Sequence, residues 1–257
     1  MERDRTLKGR TVLITGAYRN MGAVIAETFA ERGAAVIVND VAYDGSQQDG
    51  QALTERLESY GVGSWAFEGD IGTEKGVAGL AGEIADRAGQ HVDIVVNNAG
   101  PFNADPFTQL EPRDWETVVN VNLKAIYLTA RQFAPGMRER GWGRIVNMSA
   151  GSGFVRNHGV YGLAKAAVIT LTESLALELG PEITVNAIAP GQIEESLPII
   201  HQIDPDFGER YLSKSALNTL VNRGDIARAI VSICGPEFDK MTGQTLRIDG
   251  GAEIQRF

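Results

Sequence analysis

The sequence carries one cysteine, Cys234, in 257 residues, so no intrachain disulfide can form. No apolar run approaches the ~20 residues that a membrane-spanning helix needs. Met1 to Arg10 is charged and lacks an apolar secretory core, so a soluble, cytoplasmic protein is expected. Basic residues are in deficit: 24 Lys and Arg face 33 Asp and Glu, a net charge of −9. Phosphate contacts need clustered cations, so no nucleic-acid partner and no anionic membrane surface is expected. The three histidines, His91, His158 and His201, are scattered without ligand spacing, and no metal site is expected. Flexible linkers and internal repeats are also missing, which reads as one domain over residues 1–257.

What is present suits a full core: 43% hydrophobic and 22% charged residues. Short apolar, β-branched runs recur at Thr11–Ile14, Ala35–Val38, Asp93–Val96, Arg144–Asn147, Ile183–Ala187 and Thr245–Ile248, with Gly63–Glu68 a weaker seventh. Most lack period-two alternation, as strands covered on both faces do. Between them, helical periodicity predicts helices over Met21–Arg32, Gln51–Tyr60, Glu74–Ala88, Asp114–Met137, Val160–Leu179 and Asp225–Cys234. Pro112 suits the first turn of the fourth. Alternating strands and helices imply right-handed crossovers and an α/β fold, a doubly wound parallel sheet of about seven strands. Gln192 to Asn222 follows no strand pattern and reads as an irregular helical insertion near the carboxyl end of the sheet.

The first strand leads through Thr15-Gly16-Ala17-Tyr18-Arg19-Asn20-Met21-Gly22 into a helix. Gly16 allows a tight turn and Gly22 close helix–strand packing. The helix N-terminus then offers free N–H groups to a pyrophosphate. Asp40 ends the second strand about 20 residues on, where a carboxylate meets an adenosine ribose. Asp70 ends the third strand and Asn97-Asn98-Ala99-Gly100 closes the fourth, all at one sheet edge. Ligands of open α/β sheets bind along that edge.

Tyr161 and Lys165 share one face of a helix by their four-residue spacing. Alone, such a pair would read as an ordinary amphipathic helix. Downstream of a nucleotide site it reads as a proton-transfer pair. A lysine cation about 4 Å away in a partly desolvated cleft favours the phenolate by roughly 4 kcal/mol, drawing the tyrosine towards neutral pH.

Together these ordered motifs, with Pro190-Gly191 and Asp249-Gly250-Gly251, resemble the short-chain dehydrogenase/reductase family over essentially the whole chain. The resemblance implies a Rossmann-type fold, a nicotinamide cofactor and a homotetramer. It implies that Asp70 and Ile71 flank the adenine, that Asn98, Ala99 and Gly100 line the cofactor cleft, and that Ile193 reaches the nicotinamide through its backbone. Tyr161 would pass the proton, Lys165 would hold the nicotinamide ribose, and Asn122 would support a water-linked proton path; Asn120 is the less fitting match.

The sequence departs from the family in three places. The family serine position is held by Ala150, and the connection to Tyr161 is about two residues short. Ser149 and Ser152 flank the gap. An extended chain would put Ser152 on the face of residue 150, which favours it; neither serving is the remaining alternative. Asn20 replaces a glycine of the phosphate turn, which asparagine's tolerance of left-handed backbone permits. Glu195 stands where many relatives carry a cofactor-touching threonine, and could bind a different substrate or alter lid closure. Arg19 sits where NADP-using relatives carry a basic residue, but Asp40 would repel a 2′-phosphate, so NAD is expected in preference to NADP. The function so implied is hydride transfer between NAD(H) and a secondary alcohol or ketone. Its rival is a nicotinamide-binding regulatory or scaffold protein with impaired catalysis. Trp65, Trp115 and Trp142 read as core or helix–sheet filler; Phe102 and Phe107 read equally as core or as substrate walls.

Overall fold

The computed structural model describes residues 5–155, 159–202 and 204–254. His158 therefore lies outside the described residues, as do Met1 to Asp4 of the charged N-terminus. In chain order the elements are β1 (Thr11–Thr15), α1 (Asn20–Glu31), β2 (Ala35–Asp40), α2 (Ser46–Glu58), β3 (Ser64–Glu68), α3 (Glu74–Glu83) and β4 (Ile94–Asn97). Next come α4 (Pro112–Val119), α5 (Ala125–Glu139), β5 (Gly143–Met148), α6 (Ser152–Val155), α7 (Gly159–Leu179) and β6 (Ile183–Pro190). The chain closes with α8 (Leu197–Ile200), α9 (Phe207–Leu212), α10 (Arg223–Ile233) and β7 (Thr245–Ile248).

Among the described residues, seven strands form one parallel sheet in the order β3-β2-β1-β4-β5-β6-β7. Strand order reverses between β1 and β4, which opens a crevice beyond their carboxyl ends. Alternate residues of β1 feed two cores. Val12 and Ile14 join Ile25 and Phe29 of α1 and Ile230 of α10. Leu13 joins Val95, Ile126 of α5 and Val168 of α7 on the other face. Two apolar faces explain the missing alternation in the sequence.

Helix boundaries moved where apolar periodicity is silent. Helix α2 starts at Ser46 rather than Gln51, because its first turn, Ser-Gln-Gln-Asp, is polar. Thr73 caps α3 by accepting the Gly76 N–H at 3.0 Å. Asn222 and Asp225 form a capping box that starts α10 ahead of the expected Asp225. The long helix expected over Asp114–Met137 is α4 and α5 joined by a π-turn, Asn120–Lys124. Such turns widen the helix by one residue and are frequent at functional sites. Helix α7 is long and apolar enough to cross a bilayer by length and composition alone, which apolar run length in the sequence did not reveal. In the fold Val160, Val168, Leu175 and Leu179 are buried, and the helix packs on β5 and β6.

A polar chain runs through the core beneath α7. Thr129 of α5 donates to Asn97 Oδ1 at 2.8 Å, and Asn97 Nδ2 donates to Asn147 Oδ1 at 2.8 Å. Asn147 Nδ2 donates to Thr172 Oγ1 at 3.0 Å, and Thr172 donates to the Val168 carbonyl at 2.7 Å. All four side chains are buried. Each such bond would be expensive to leave half-made in a low-dielectric interior, so the chain fixes α7 against the sheet.

Candidate active site

The crevice between β1 and β4 opens into a cavity of ≈ 810 Å³. Gly16, Arg19, Asn20, Met21, Gly22, Asp40, Asp70, Ile71, Asn98, Ala99 and Gly100 all line it. At Gly22 a Cβ would fall 2.6 Å from the Ala17 Cα and closer still to the Gly16 carbonyl oxygen. Only glycine lets helix and turn approach this closely. Asn20 adopts φ 53°, the left-handed conformation expected of it. Helix α1 has no side-chain cap and no acidic residue in its first turn. Its N–H groups and the positive end of its dipole therefore face the cavity unspent, as a dinucleotide pyrophosphate requires.

Thr15 is a positioning residue that sequence reasoning missed. Its Oγ1 accepts the N–H groups of Asn98 and Ala99 at 3.1 and 3.2 Å. Asn98 answers by donating from Nδ2 to the Thr15 and Gly16 carbonyls, each at 2.9 Å. These bonds lace the two strand ends together across the crevice. A threonine at a strand end carries no distinctive signal, so only the β1–β4 pairing reveals it.

Asp40 is fixed by two backbone donors, the Tyr18 N–H at 3.3 Å and the Val41 N–H at 2.9 Å. Burial raises its carboxyl above the usual range; those N–H groups and Arg19 oppose the rise. The Arg19 guanidinium lies over the Tyr43 ring, 4.2 Å from its centroid.

At the other end, α7 carries Tyr161 and Lys165 to the mouth of the sheet. Lys165 Nζ donates to the Met148 carbonyl at 2.6 Å and lies 5.5 Å from the Tyr161 ring centroid. A Cβ on Gly100 would collide with Asn122 Oδ1 and reach within 3.3 Å of Lys165 Nζ, so the three residues meet at one point. Asn122 sits in the π-turn; its Nδ2 donates to the Pro101 and Val118 carbonyls, both at 3.0 Å. Its Oδ1 is buried and has no partner among the described residues. Asn120, by contrast, lines the cofactor cavity. Tyr161 meets the edge of Phe102, with ring centroids 4.9 Å apart.

The electrostatics reverse one expectation. Burial pushes Tyr161 up to about 12 and Lys165 down to about 7. The lysine is buried and bonded to a neutral carbonyl, so desolvation strips its charge before that charge can draw the phenol down. The sign for stability follows. Between about pH 7 and the unfolded lysine value of about 10.4, the unfolded chain binds a proton that the native chain does not, so stability rises with pH. The raised Tyr161 acts oppositely, but only above about pH 10. Thermal unfolding without added nucleotide should show the midpoint gap between wild type and Lys165→Met moving in favour of wild type from pH 7 to 9.5; a constant gap would contradict the buried-lysine assignment.

The fold also corrects further expectations drawn from the sequence. The chain after β5 does not stay extended: Ala150 and Gly151 turn and α6 begins at Ser152, so alternation cannot rank the serines. Their contacts do. Ser149 donates to the Lys165 carbonyl at 2.8 Å, whereas Ser152 Oγ is buried and unpartnered. Glu195, read from the sequence as a group that could bind a different substrate or alter lid closure, accepts the Arg223 N–H with both carboxylate oxygens, at 3.2 and 3.3 Å, which ties the insertion to α10. Pro190 closes β6, Gly191 follows it, and Ile193 makes a parallel bridge with Val221. Trp115 is 40% exposed and packs beside exposed Phe107, so it is not core filler; Phe102 is 62% exposed and is not core either. Trp65 and Trp142 do pack against the two cores.

The chain belongs to the short-chain dehydrogenase/reductase family. The family model described as enoyl-(acyl carrier protein) reductase matches residues 16–253. It is thus an NAD(P)-dependent oxidoreductase acting on CH–OH groups. A 3-oxoacyl-[acyl-carrier-protein] reductase of Staphylococcus aureus is 32% identical over 245 residues, covering 94% of this chain and 97% of the relative. A (2S)-[(R)-hydroxy(phenyl)methyl]succinyl-CoA dehydrogenase subunit of Thauera aromatica is 34% identical over 254 residues, covering 96% and 98%. Among solved structures, a short-chain alcohol dehydrogenase of Sinorhizobium meliloti superposes with TM-score 0.89 at 30% identity, covering 97% and 98%. An NAD+-bound xylitol dehydrogenase superposes with TM-score 0.85 at 26% identity, covering 95% and 99%.

Proposed function

We propose that this protein transfers hydride reversibly between NAD(H) and a secondary alcohol or ketone, with Tyr161 as the acid/base. The observation that carries this reading is the meeting of Gly100, Asn122 and Lys165 at the end of the nucleotide cavity, one helical turn from Tyr161. The bound nicotinamide supplies the hydride acceptor or donor. The residues supply the rest. In reduction, the Tyr161 O–H donates to the substrate oxygen as it becomes an alkoxide, a far stronger base than a phenolate. A phenol held up to about 12 is in the protonated form that this step uses. Lys165 Nζ would hold ribose hydroxyls of the bound nucleotide, and the unpartnered Asn122 Oδ1 could accept from a water linking Lys165 to solvent. Ser152 is the better candidate to hydrogen-bond the reacting oxygen, because Ser149 spends its donor on the helix backbone.

Asp40 supports NAD over NADP. Its anchored carboxylate would accept ribose hydroxyls and repel a 2′-phosphate, at a cost on the order of 1–4 kcal/mol. Exposed Tyr127 on α5 and Leu163 and Leu177 on α7 support association into a homotetramer through those helices. Following nicotinamide absorbance over a panel of alcohols and ketones tests the activity: kcat/KM with NAD should exceed that with NADP by about tenfold or more, and Asp40→Ser should narrow the ratio. A wild-type preference for NADP would overturn the cofactor reading. Binding of either cofactor with no turnover across the panel would point instead to a regulatory protein.

A further inference from the structure

The carboxyl ends of β5, β6 and β7 converge on a group that neither the cofactor cavity nor the proton-transfer pair uses, Glu253. Asp249, at the end of β7, accepts the N–H groups of Gly251 and Glu253 at 2.8 and 3.2 Å and coils the chain into a turn. Arg247 clamps that turn: its guanidinium lies 5.1 Å from the Phe154 ring and donates to the Glu253 carbonyl at 3.5 Å. The turn delivers the Glu253 carboxylate against Gly151, where any Cβ would land inside it. Gly151 in turn donates to the Pro190 carbonyl at 3.1 Å, and a Cβ on Gly153 would meet the Lys165 backbone at 2.9 Å. The 150–153 turn is thus a wall shared by Glu253 and the catalytic helix.

Among the described residues, two buried polar atoms are left unpartnered along this wall, Glu253 Oε2 and Ser152 Oγ. Ser152 is only 7% exposed. Unpaired buried polar groups are expensive and rare in native folds, which makes a pair of them on adjoining positions a sign of a ligand. Burial, with Asp249 beside it, pushes Glu253 up to about 7, so the carboxylate is poorly solvated as it stands.

We propose that Glu253 is a specificity-determining residue: its carboxylate accepts a hydrogen bond from a hydroxyl on the carbon next to the one that gains or loses hydride. This deepens the dehydrogenase reading and rests on it for the place of the reacting carbon. The substrates favoured are then vicinal diols and their hydroxy-ketone counterparts rather than simple alcohols. A hydroxyl suits the site better than an ammonium, because it can donate to the carboxylate and also accept from the acid form that a group pushed up to about 7 partly holds, whereas an ammonium can only donate.

Ligand-observed NMR titration of the NAD-loaded protein with 2,3-butanediol, 2-butanol and 3-amino-2-butanol tests this, alongside kcat/KM for each. Wild type should prefer the diol by about 10- to 100-fold, the range of a hydrogen bond to a charged acceptor. Glu253→Ala should erase that preference. Gly151→Ala should do likewise by displacing the carboxylate without deleting it. Glu253→Gln, which keeps an acceptor oxygen but not the charge, should retain a smaller preference, between those of wild type and Glu253→Ala. An undiminished preference in both alanine variants, or a preference for the amine, overturns the proposal. Diol affinity that tracks Glu253 while Tyr161→Phe leaves turnover intact would sink the Tyr161 assignment alone; turnover that needs Tyr161 with a diol preference indifferent to Glu253 would sink this proposal alone.

Discussion

Tyr161→Phe is expected to lower kcat by about 10²–10⁴-fold, the usual contribution of one positioned acid/base. The change removes one oxygen and keeps the ring, so the edge contact with Phe102 survives and α7 has no reason to move. Nucleotide affinity should stay within about threefold, since the residues that line the nucleotide cavity do not include Tyr161. Single-turnover hydride transfer separates chemistry from product release, and fluorescence titration with NADH gives the affinity. Wild-type rates in the variant would remove Tyr161 from the reaction. A variant with lost turnover and lost nucleotide binding would instead indicate a displaced helix.

Gly22→Ala should be strongly damaging for a substitution that adds a single methyl group to the nucleotide half. The new Cβ meets the Gly16 carbonyl and Ala17 Cα, which are backbone atoms and cannot swing aside as a side-chain tip can. Overpacking of this kind costs about 1–3 kcal/mol, and in a chain of this length each kcal/mol lowers the thermal midpoint by about 2–4 °C. Relief requires α1 to retreat from the turn that aims its N–H groups, so NADH affinity should fall by about tenfold or more. Gly79→Ala is the contrasting control. It lies within α3 with open space around it, and alanine in a helix is worth about 0.5–1 kcal/mol over glycine. Calorimetry and titration of both variants give the comparison; equal behaviour would mean that the turn is more compliant than its geometry implies.

The sheet and its nucleotide edge were legible in the sequence because both rest on local signals. Buried strands announce themselves as apolar runs, and Gly16, Gly22 and Asp40 stand at spacings that backbone geometry enforces. Asn20 was legible too, since its left-handed backbone follows from its side chain. What escaped depends on contacts between distant segments. Thr15 acts through β4, Glu195 through α10, and Glu253 through Gly151 about a hundred residues earlier. The relative rank of Ser149 and Ser152 hinged on where the strand ends, which no periodicity marks. The titration of Tyr161 and Lys165 was misread because the spacing gives proximity and says nothing of burial. Desolvation decides that balance here.

The buried chain from Thr129 through Asn97 and Asn147 to Thr172 joins α5, two central strands and α7 with directional bonds. Apolar packing is forgiving in rotation, because a leucine is nearly as content a few degrees away; a row of amides and hydroxyls is a key that turns in one lock. The helix bearing Tyr161 and Lys165 and the helix running on from Asn122 are thus indexed to the same two strands. Substrate-side segments can vary freely around that mount, and the proton-transfer groups will hold their mutual aim.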